Sequence, residues 1–286
     1  MIDRIAILGT GLLGTSVGLA LRAADYSGSI MGWNRSSEQA KTALSMGAID
    51  SVATDPLQAA RESQVVLLAV PIYATLDFME KLEGLLGPDH LVTDVGSTKA
   101  QITAAAGRLF NTPERAAFLP GHPMAGKERG GAAIADANLF RGAVWLFTDD
   151  PAWQRSPRSA ALVQDWRELV VAMGSRTLDL EAVRHDELVA WVSHLPQFTA
   201  TALSALLEQE VGGAPELKDV GGRALREMTR LGASPWSMWR DIALTNTEAI
   251  EKALLVLEQR LAYIRENLRT PELRDEFERA NRFRRE

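Results

Sequence analysis

The chain has 286 residues, of which 46% are hydrophobic and 24% charged, with a formal net charge of −6 and no cysteine. That length exceeds what one hydrophobic core usually supports, so two domains are expected in an ordinary globular protein. The acidic balance argues against nucleic acid as the main partner, because phosphate binding needs clustered Lys and Arg. The lack of cysteine excludes disulfides, thiolate metal sites, iron–sulfur clusters and a cysteine nucleophile.

Met1 leads directly into an apolar strand, and no later stretch reaches the roughly 20 apolar residues of a membrane span. A cytoplasmic protein with no membrane partner is therefore expected. From residue 5 to about 180, short apolar runs alternate with helix-length segments. The runs are IAIL, SIMGW, VVLLAV, LVTDV, AAFLP, AVWLF and RTLDL, and helices are expected near 11–23, 37–46, 72–86, 99–109 and 159–173. This is the pattern of parallel βαβ units in a doubly wound α/β sheet. After Leu180 the strands stop. Helical periodicity fills 181–210, 224–231 and 237–267, broken at Pro196, Gly212-Gly213 and Ser234-Pro235, so the second domain reads as all helix. The expected division is 1–180 and 181–286. The charged tail from Leu268 reads as a solvated helix end.

The first strand runs into Gly9-Thr10-Gly11-Leu12-Leu13-Gly14, with a helix following. In GxGxxG at this position Gly9 permits a tight turn, Gly11 lets the backbone approach a pyrophosphate, and Gly14 allows close helix–strand packing. The second strand ends in Asn34-Arg35-Ser36, where a carboxylate would grip the ribose diol of NAD. Asn34 is neutral. Asn34, Arg35 and Ser36 can instead receive a 2′-phosphate, so NADP is the expected cofactor and NAD the alternative. Val70 and Pro71, closing the VVLLAV strand, should pass the adenine and ribose.

Two candidate chemical residues follow. Ser97, in Asp94-Val95-Gly96-Ser97-Thr98-Lys99, lies at the carboxyl end of a strand, where ligands bind in such sheets; it could equally cap the next helix. His122 sits in Gly121-His122-Pro123-Met124-Ala125-Gly126, read as a rigid loop at the ligand edge, where a base is useful. In the helical part Arg223, Arg226 and Arg230 share one face as a cationic ridge. His185 and His194 lie nine apart, on opposite sides of an ideal helix, so no metal site is expected there.

Five blocks, GTGLLGTSVGLAL, TDVGSTK, PGHPMAGKERGG, HDELVAWVSHLPQ and LREMTRLGASPWSMWRDIALTN, resemble the prephenate and arogenate dehydrogenase family in order and spacing from Ile5 to about Asn246. The resemblance implies a Rossmann-type domain followed by a helical dimerisation domain. It also implies oxidative decarboxylation of a dicarboxylate cyclohexadienyl acid, with hydride passing to NADP or NAD and no metal. By position, His122 would accept the proton of the ring hydroxyl, Ser97 would hold that hydroxyl, and Arg230 would contact a substrate carboxylate, with Arg226 beside it. His194 would lie in the substrate pocket, His185 would be a pocket or structural histidine, and Trp239 would approach from the neighbouring subunit. Gln197 stands where relatives often carry histidine, and it is expected to bear on the choice between prephenate and arogenate. Gln197 and the NADP reading tilt that choice toward arogenate, with Glu227 as a candidate partner for its ammonium or as a local salt bridge. No appended regulatory domain is expected. Apolar Leu244, Ala249, Leu254, Leu255 and Leu261 exceed what one small domain needs to cover, so a homodimer is expected.

Two rival readings remain. A β-hydroxyacid or imine reductase would share the architecture but use a catalytic lysine in the helical part, where Lys218 and Lys252 are the only lysines. A non-catalytic nucleotide-binding module would need the glycines but not Ser97, His122 or Arg230.

Overall fold

The computed structural model describes residues 1–285, the side chain of Lys218 excepted. The chain begins β1 (Arg4–Leu8), α1 (Leu12–Ala23), β2 (Ser29–Trp33), α2 (Ser37–Ser45), β3 (Ser51–Val52) and α3 (Pro56–Arg61). It continues β4 (Val65–Leu68), α4 (Ile72–Glu83), β5 (Leu91–Asp94), α5 (Ala100–Leu109) and β6 (Ala117–Leu119). The six strands form one parallel sheet in the order β3-β2-β1-β4-β5-β6.

Both faces of this sheet are covered, which explains why its strands read as unbroken apolar runs. Ile5, Ile7, Val65 and Leu67 pack to one side with Val17, Leu21 and Trp166. Ala6, Leu8, Val66 and Leu68 pack to the other with Phe78, Met79, Leu82 and Ile102. Strand order reverses between β1 and β4, and a crevice opens at such a switch point beyond the carboxyl ends of the strands. The chain is tightly closed below it: a Cβ on Gly9 would stand 2.2 Å from the Ala69 carbonyl oxygen.

β3 and α3 were not among the expected elements. β3 is only two residues long, too short for a periodicity signal, but α3 carries a local one in Asp55-Pro56: the Asp55 side chain accepts the Leu57 N–H at 2.9 Å and proline opens the helix.

The expected single sheet also needs correction after β6. Pro120 offers no N–H to continue the ladder, and the chain leaves the main sheet there. A second sheet follows, in which β7 (Gly121–Pro123) pairs antiparallel with β8 (Val144–Phe147), and β8 pairs parallel with β9 (Arg176–Asp179) across α6 (Pro157–Ala172). His122 is therefore not in a loop. It is the middle residue of β7, opposite Leu146.

The helical part comprises α7 (Ala182–Val189), α8 (Leu195–Val211), α9 (Leu217–Val220), α10 (Gly222–Thr229), α11 (Trp236–Thr245), α12 (Thr247–Glu266) and α13 (Glu272–Arg285). A π-helical segment, Ala190–His194, joins α7 to α8, and a 3-10 turn, Arg230–Ala233, follows α10. The expected break at Pro196 thus falls just before it. Pro196 cannot donate the bond an α-helix would need at that point, and the preceding turn widens instead, with Leu195 N–H bonding to the Ala190 carbonyl. The helices dock on the sheet through apolar and polar contacts: Ile242 and Ile250 join the core of α4 and α5, and the Thr98 and Thr245 hydroxyls meet at 2.7 Å. Among the described residues, no helix is long and apolar enough to cross a membrane.

Candidate active site

The glycine loop is built for close backbone approach. Gly9 has φ +109°, a conformation L side chains rarely adopt, and a Cβ on Gly14 would lie 2.0 Å from the Gly9 carbonyl oxygen. At Gly11 an added Cβ would meet nothing within 4 Å, so the space in front of it is open. The N-terminus of α1 has no side-chain cap, and the Thr10 hydroxyl is buried without a partner. Leu12 and Leu13, in the first turn, are half-buried. Free N–H groups, an orphan hydroxyl and the positive end of a helix dipole are the donor set that a pyrophosphate takes.

Beyond β2, the Asn34 side-chain oxygen accepts the Ser36 N–H at 2.9 Å. Arg35 and Ser36 are exposed, and α2 begins without a side-chain cap. Val70 and Pro71 follow β4, and Pro71 precedes the first turn of α4.

The turn after β5 carries a buried ion pair that no local pattern in the TDVGSTK block marks. Asp94 and Lys99 are fully enclosed and bonded to each other. Asp94 also accepts the Gly96 N–H at 2.7 Å and the Gly121 N–H at 3.0 Å, which ties the Ser97 turn to β7. Burial pushes the Lys99 ammonium below its ordinary pKa, against the opposing pull of Asp94. Ser97 is half-buried in this turn. It does not cap the next helix, as one reading expected: α5 has Lys99 at its N-cap and no cap from its own side chains. The cap comes from α7. Asp186 accepts the N–H groups of Lys99 at 2.7 Å and Ala100 at 2.9 Å.

Asp186 also touches the base. His185 Nδ1 lies 2.8 Å from Asp186 Oδ1, and His185 Nε2 lies 2.9 Å from His122 Nδ1. All three side chains are buried. Desolvation, assisted by His185 and Lys99, drives the pKa of His122 well below the ordinary histidine value. Desolvation likewise lowers His185, with Asp186 pulling the other way, and brings His194 to about 4. The three buried histidines are neutral bases at neutral pH.

The helical wall holds His194, whose Nδ1 is 3.3 Å from the Asn246 amide nitrogen, which itself donates to the Asp186 carbonyl at 2.8 Å. Trp239 stands edge-to-face on His194 at 5.8 Å and on Phe198 at 5.7 Å, with its indole N–H buried and unpartnered. Within one chain, then, Trp239 packs against His194 and Phe198.

Gln197 is held by its own neighbours. Its amide nitrogen donates to the Leu231 carbonyl at 2.8 Å and to Thr201 Oγ1 at 3.1 Å, and its oxygen accepts from Ser234 at 3.1 Å. The amide is committed to fixing the turn that carries Arg230. Arg230 is paired with Glu128, in the loop after β7. That loop reaches back over the nucleotide edge as well: Gln39 accepts the Ala132 N–H at 2.6 Å, and Ser16 accepts the Asp136 N–H at 3.0 Å. Arg226 is exposed on α10, and Glu227 pairs with Arg223 at 2.6 Å.

This arrangement can bind a dinucleotide at the glycine loop and holds a neutral imidazole on the strand that Asp94 ties to the Ser97 turn, with the Arg230 guanidinium tied to the loop after β7 through Glu128. Comparison with known proteins identifies the chain's relatives. Residues 17–172 match the family model described as prephenate dehydrogenase, nucleotide-binding domain, and residues 181–282 match that of the prephenate dehydrogenase dimerization domain. A prephenate dehydrogenase of Lactococcus lactis is 32% identical over 86% of this chain and 65% of its own length. The cyclohexadienyl dehydrogenase of Zymomonas mobilis is 30% identical, over 86% of this chain and 82% of that protein. The crystal structure of prephenate dehydrogenase from A. aeolicus, in complex with hydroxyphenyl propionate and NAD+, superposes with a TM-score of 0.87 at 27% identity, covering 99% of this chain and 98% of that one. Residues that meet around His122 only in the folded chain thus lie on a fold and in a sequence of one kind: the chain belongs to the prephenate dehydrogenase family.

Proposed function

We propose that the protein oxidatively decarboxylates arogenate, prephenate or both, passing hydride to a nicotinamide cofactor. The observation that carries this reading is the buried, neutral His122, held by a histidine behind it and tied through Gly121 and Asp94 to the Ser97 turn. The family match and the cyclohexadienyl and prephenate dehydrogenase relatives support the same chemistry.

Gly9, Thr10, Gly11, Leu12, Leu13 and Gly14 would hold the pyrophosphate, with Val70 and Pro71 along the adenosine. Asn34, Arg35 and Ser36 would receive a 2′-phosphate, which is the basis for preferring NADP over NAD. Bound there, the nicotinamide supplies the hydride acceptor. His122 takes the proton of the ring hydroxyl as hydride leaves the same carbon, and Ser97 orients that hydroxyl. The carbon becomes a ketone, the ring carboxylate leaves as CO2, and aromatisation makes the step irreversible. Arg230 pairs with a substrate carboxylate, with Arg226 adding positive potential, and His194 and Trp239 wall the ring. The chosen side chain, oxo acid or amino acid, is set by groups other than the amide of Gln197, and Glu227 is engaged by Arg223.

We further assign residues 1–180 to the nucleotide-binding domain and 181–286 to the helical domain, a division supported by β9 ending at Asp179. The helical domain forms a homodimer: Leu244, Leu255 and Leu261 are each more than half exposed, and its family model is described as a dimerization domain. A monomer by light scattering at micromolar concentration would refute the dimer. The protein works in the cytoplasm, and small molecules rather than nucleic acid are its substrates.

The deciding experiment follows absorbance at 340 nm with NADP or NAD and each acid in turn. Growth of reduced cofactor with either acid is expected, and silence in all four pairings sinks the reading. His122→Ala should bind NADPH unchanged yet lose turnover by about 10²-fold or more.

A further inference from the structure

We propose that Asp186, acting through His185, fixes the tautomer of His122 so that its Nε2 is the bare nitrogen facing substrate. Asp186 is a positioning residue in this scheme, two hydrogen bonds away from His122 and three from the reacting hydroxyl. The inference deepens the catalytic reading above and rests on it for the role of His122.

The argument is one of donors and acceptors. The Asp186 carboxylate already accepts two backbone N–H groups and has no proton to give. The nitrogen 2.8 Å from it, His185 Nδ1, must therefore carry hydrogen. His185 is fully buried and neutral, so its Nε2 has a lone pair and can only accept. At 2.9 Å from that lone pair, His122 Nδ1 has to be the donor. A neutral His122 protonated on Nδ1 leaves Nε2 free. A carboxylate behind an imidazole does the same in serine-protease triads, where it sets tautomer and orientation without taking the proton; here a second imidazole extends the chain by one step.

Burial favours neutral rings, with the charges around them pulling both ways: Lys99 against a charged imidazole, Asp186 and Asp94 toward one at His185. Lys99 and Asp94 face the two rings from the turn after β5, and His194 faces them from the π-helical segment. The Lys99 ammonium opposes a resting imidazolium, so His122 waits as a base. When His122 takes the substrate proton at Nε2, its Nδ1–H remains bonded to His185, and the Asp186 charge stabilises the imidazolium along that line.

Nitrogen-15 histidine spectra of the wild-type protein at pH 7.5 test the tautomers without any turnover, and with four histidines in the chain each signal can be assigned by single substitution. His122 and His185 should both show a protonated Nδ1 and a bare Nε2. A protonated Nε2 on His122 would overturn the proposal. The second arm compares His185→Gln with His185→Leu in the dehydrogenase assay. Glutamine places a carbonyl where His185 Nε2 was and can accept from His122, so it should keep most activity. Leucine should lower kcat by about 10- to 10²-fold with KM within about threefold, and should add nothing in a His122→Ala background. Equal losses for the two variants, or none for leucine, would refute it. If leucine does not fold, the wild-type spectra still decide. Wild-type inactivity on every acid would remove the functional reading while the tautomer assignment stood or fell on the spectra alone.

Discussion

Lys99 and Asp94 form an ion pair with neither side chain reaching solvent, and Asp94 spends its remaining lone pairs on the N–H groups of Gly96 and Gly121. A pair of this kind contributes little net stability when intact, since desolvation offsets the attraction, but losing one member leaves an uncompensated buried charge. Lys99→Met should therefore destabilise the protein by about 3–5 kcal/mol in denaturant unfolding at pH 7. Adding Asp94→Asn to it should return part of that loss. A single variant as stable as the parent would mean that water reaches Asp94.

Cofactor choice provides a second test. Asn34 holds the Ser36 N–H through its oxygen, and an aspartate could keep that bond while adding a charge toward the ribose. Asn34→Asp should then repel a 2′-phosphate and grip a diol, lowering kcat/KM for NADP by about 10-fold or more and raising it for NAD. Steady-state rates with the two cofactors measure this directly. An unchanged ratio would show that Asn34 lies outside the phosphate pocket.

Arg230 is already paired before any substrate arrives. Its partner Glu128 is the partly shielded member of the couple, while Arg230 is 62% exposed, so solvent screens the attraction. Substrate carboxylate must compete with Glu128 for the same guanidinium. Glu128→Gln should lower KM a few-fold, and Arg230→Ala should raise it by about 10- to 10²-fold, each with a smaller effect on kcat. If both variants lost kcat at constant KM, the pair would serve loop placement rather than binding.

How much of this was legible in the sequence depends on the distance over which each feature is made. The glycine loop was readable because strand, turn and helix are consecutive, and each glycine answers a local demand. The sheet strands were readable because burial on both faces leaves an unbroken apolar run. The short β7 was not, since its partner β8 lies more than twenty residues away and Pro120 looked like the end of an element rather than a corner. The relay was invisible for the same reason: His122 and His185 are 63 residues apart, and nothing local in either marks the other as its partner. For Gln197, residue type indicates a polar contact but not which one: its amide bonds Leu231, Thr201 and Ser234, partners of which two are more than thirty residues away.

The histidines also set how stability responds to acid. His194 is buried and its pKa falls to about 4, chiefly by desolvation. In the unfolded chain it titrates near its ordinary 6.5, so between those values the unfolded state holds the extra proton. Stability must therefore rise with pH through this window and fall as pH drops from 6.5 toward 4, by on the order of 3 kcal/mol from His194 alone. His122 and His185 are shifted in the same direction and deepen the loss. Thermal unfolding followed from pH 7.5 down to 4.5 should show Tm decreasing steeply below about 6.5. His194→Gln can still meet Asn246 through its amide but cannot titrate, so its stability should vary less with pH over the same range. A variant whose slope matches the parent's would mean that His194 takes up its proton in the folded state.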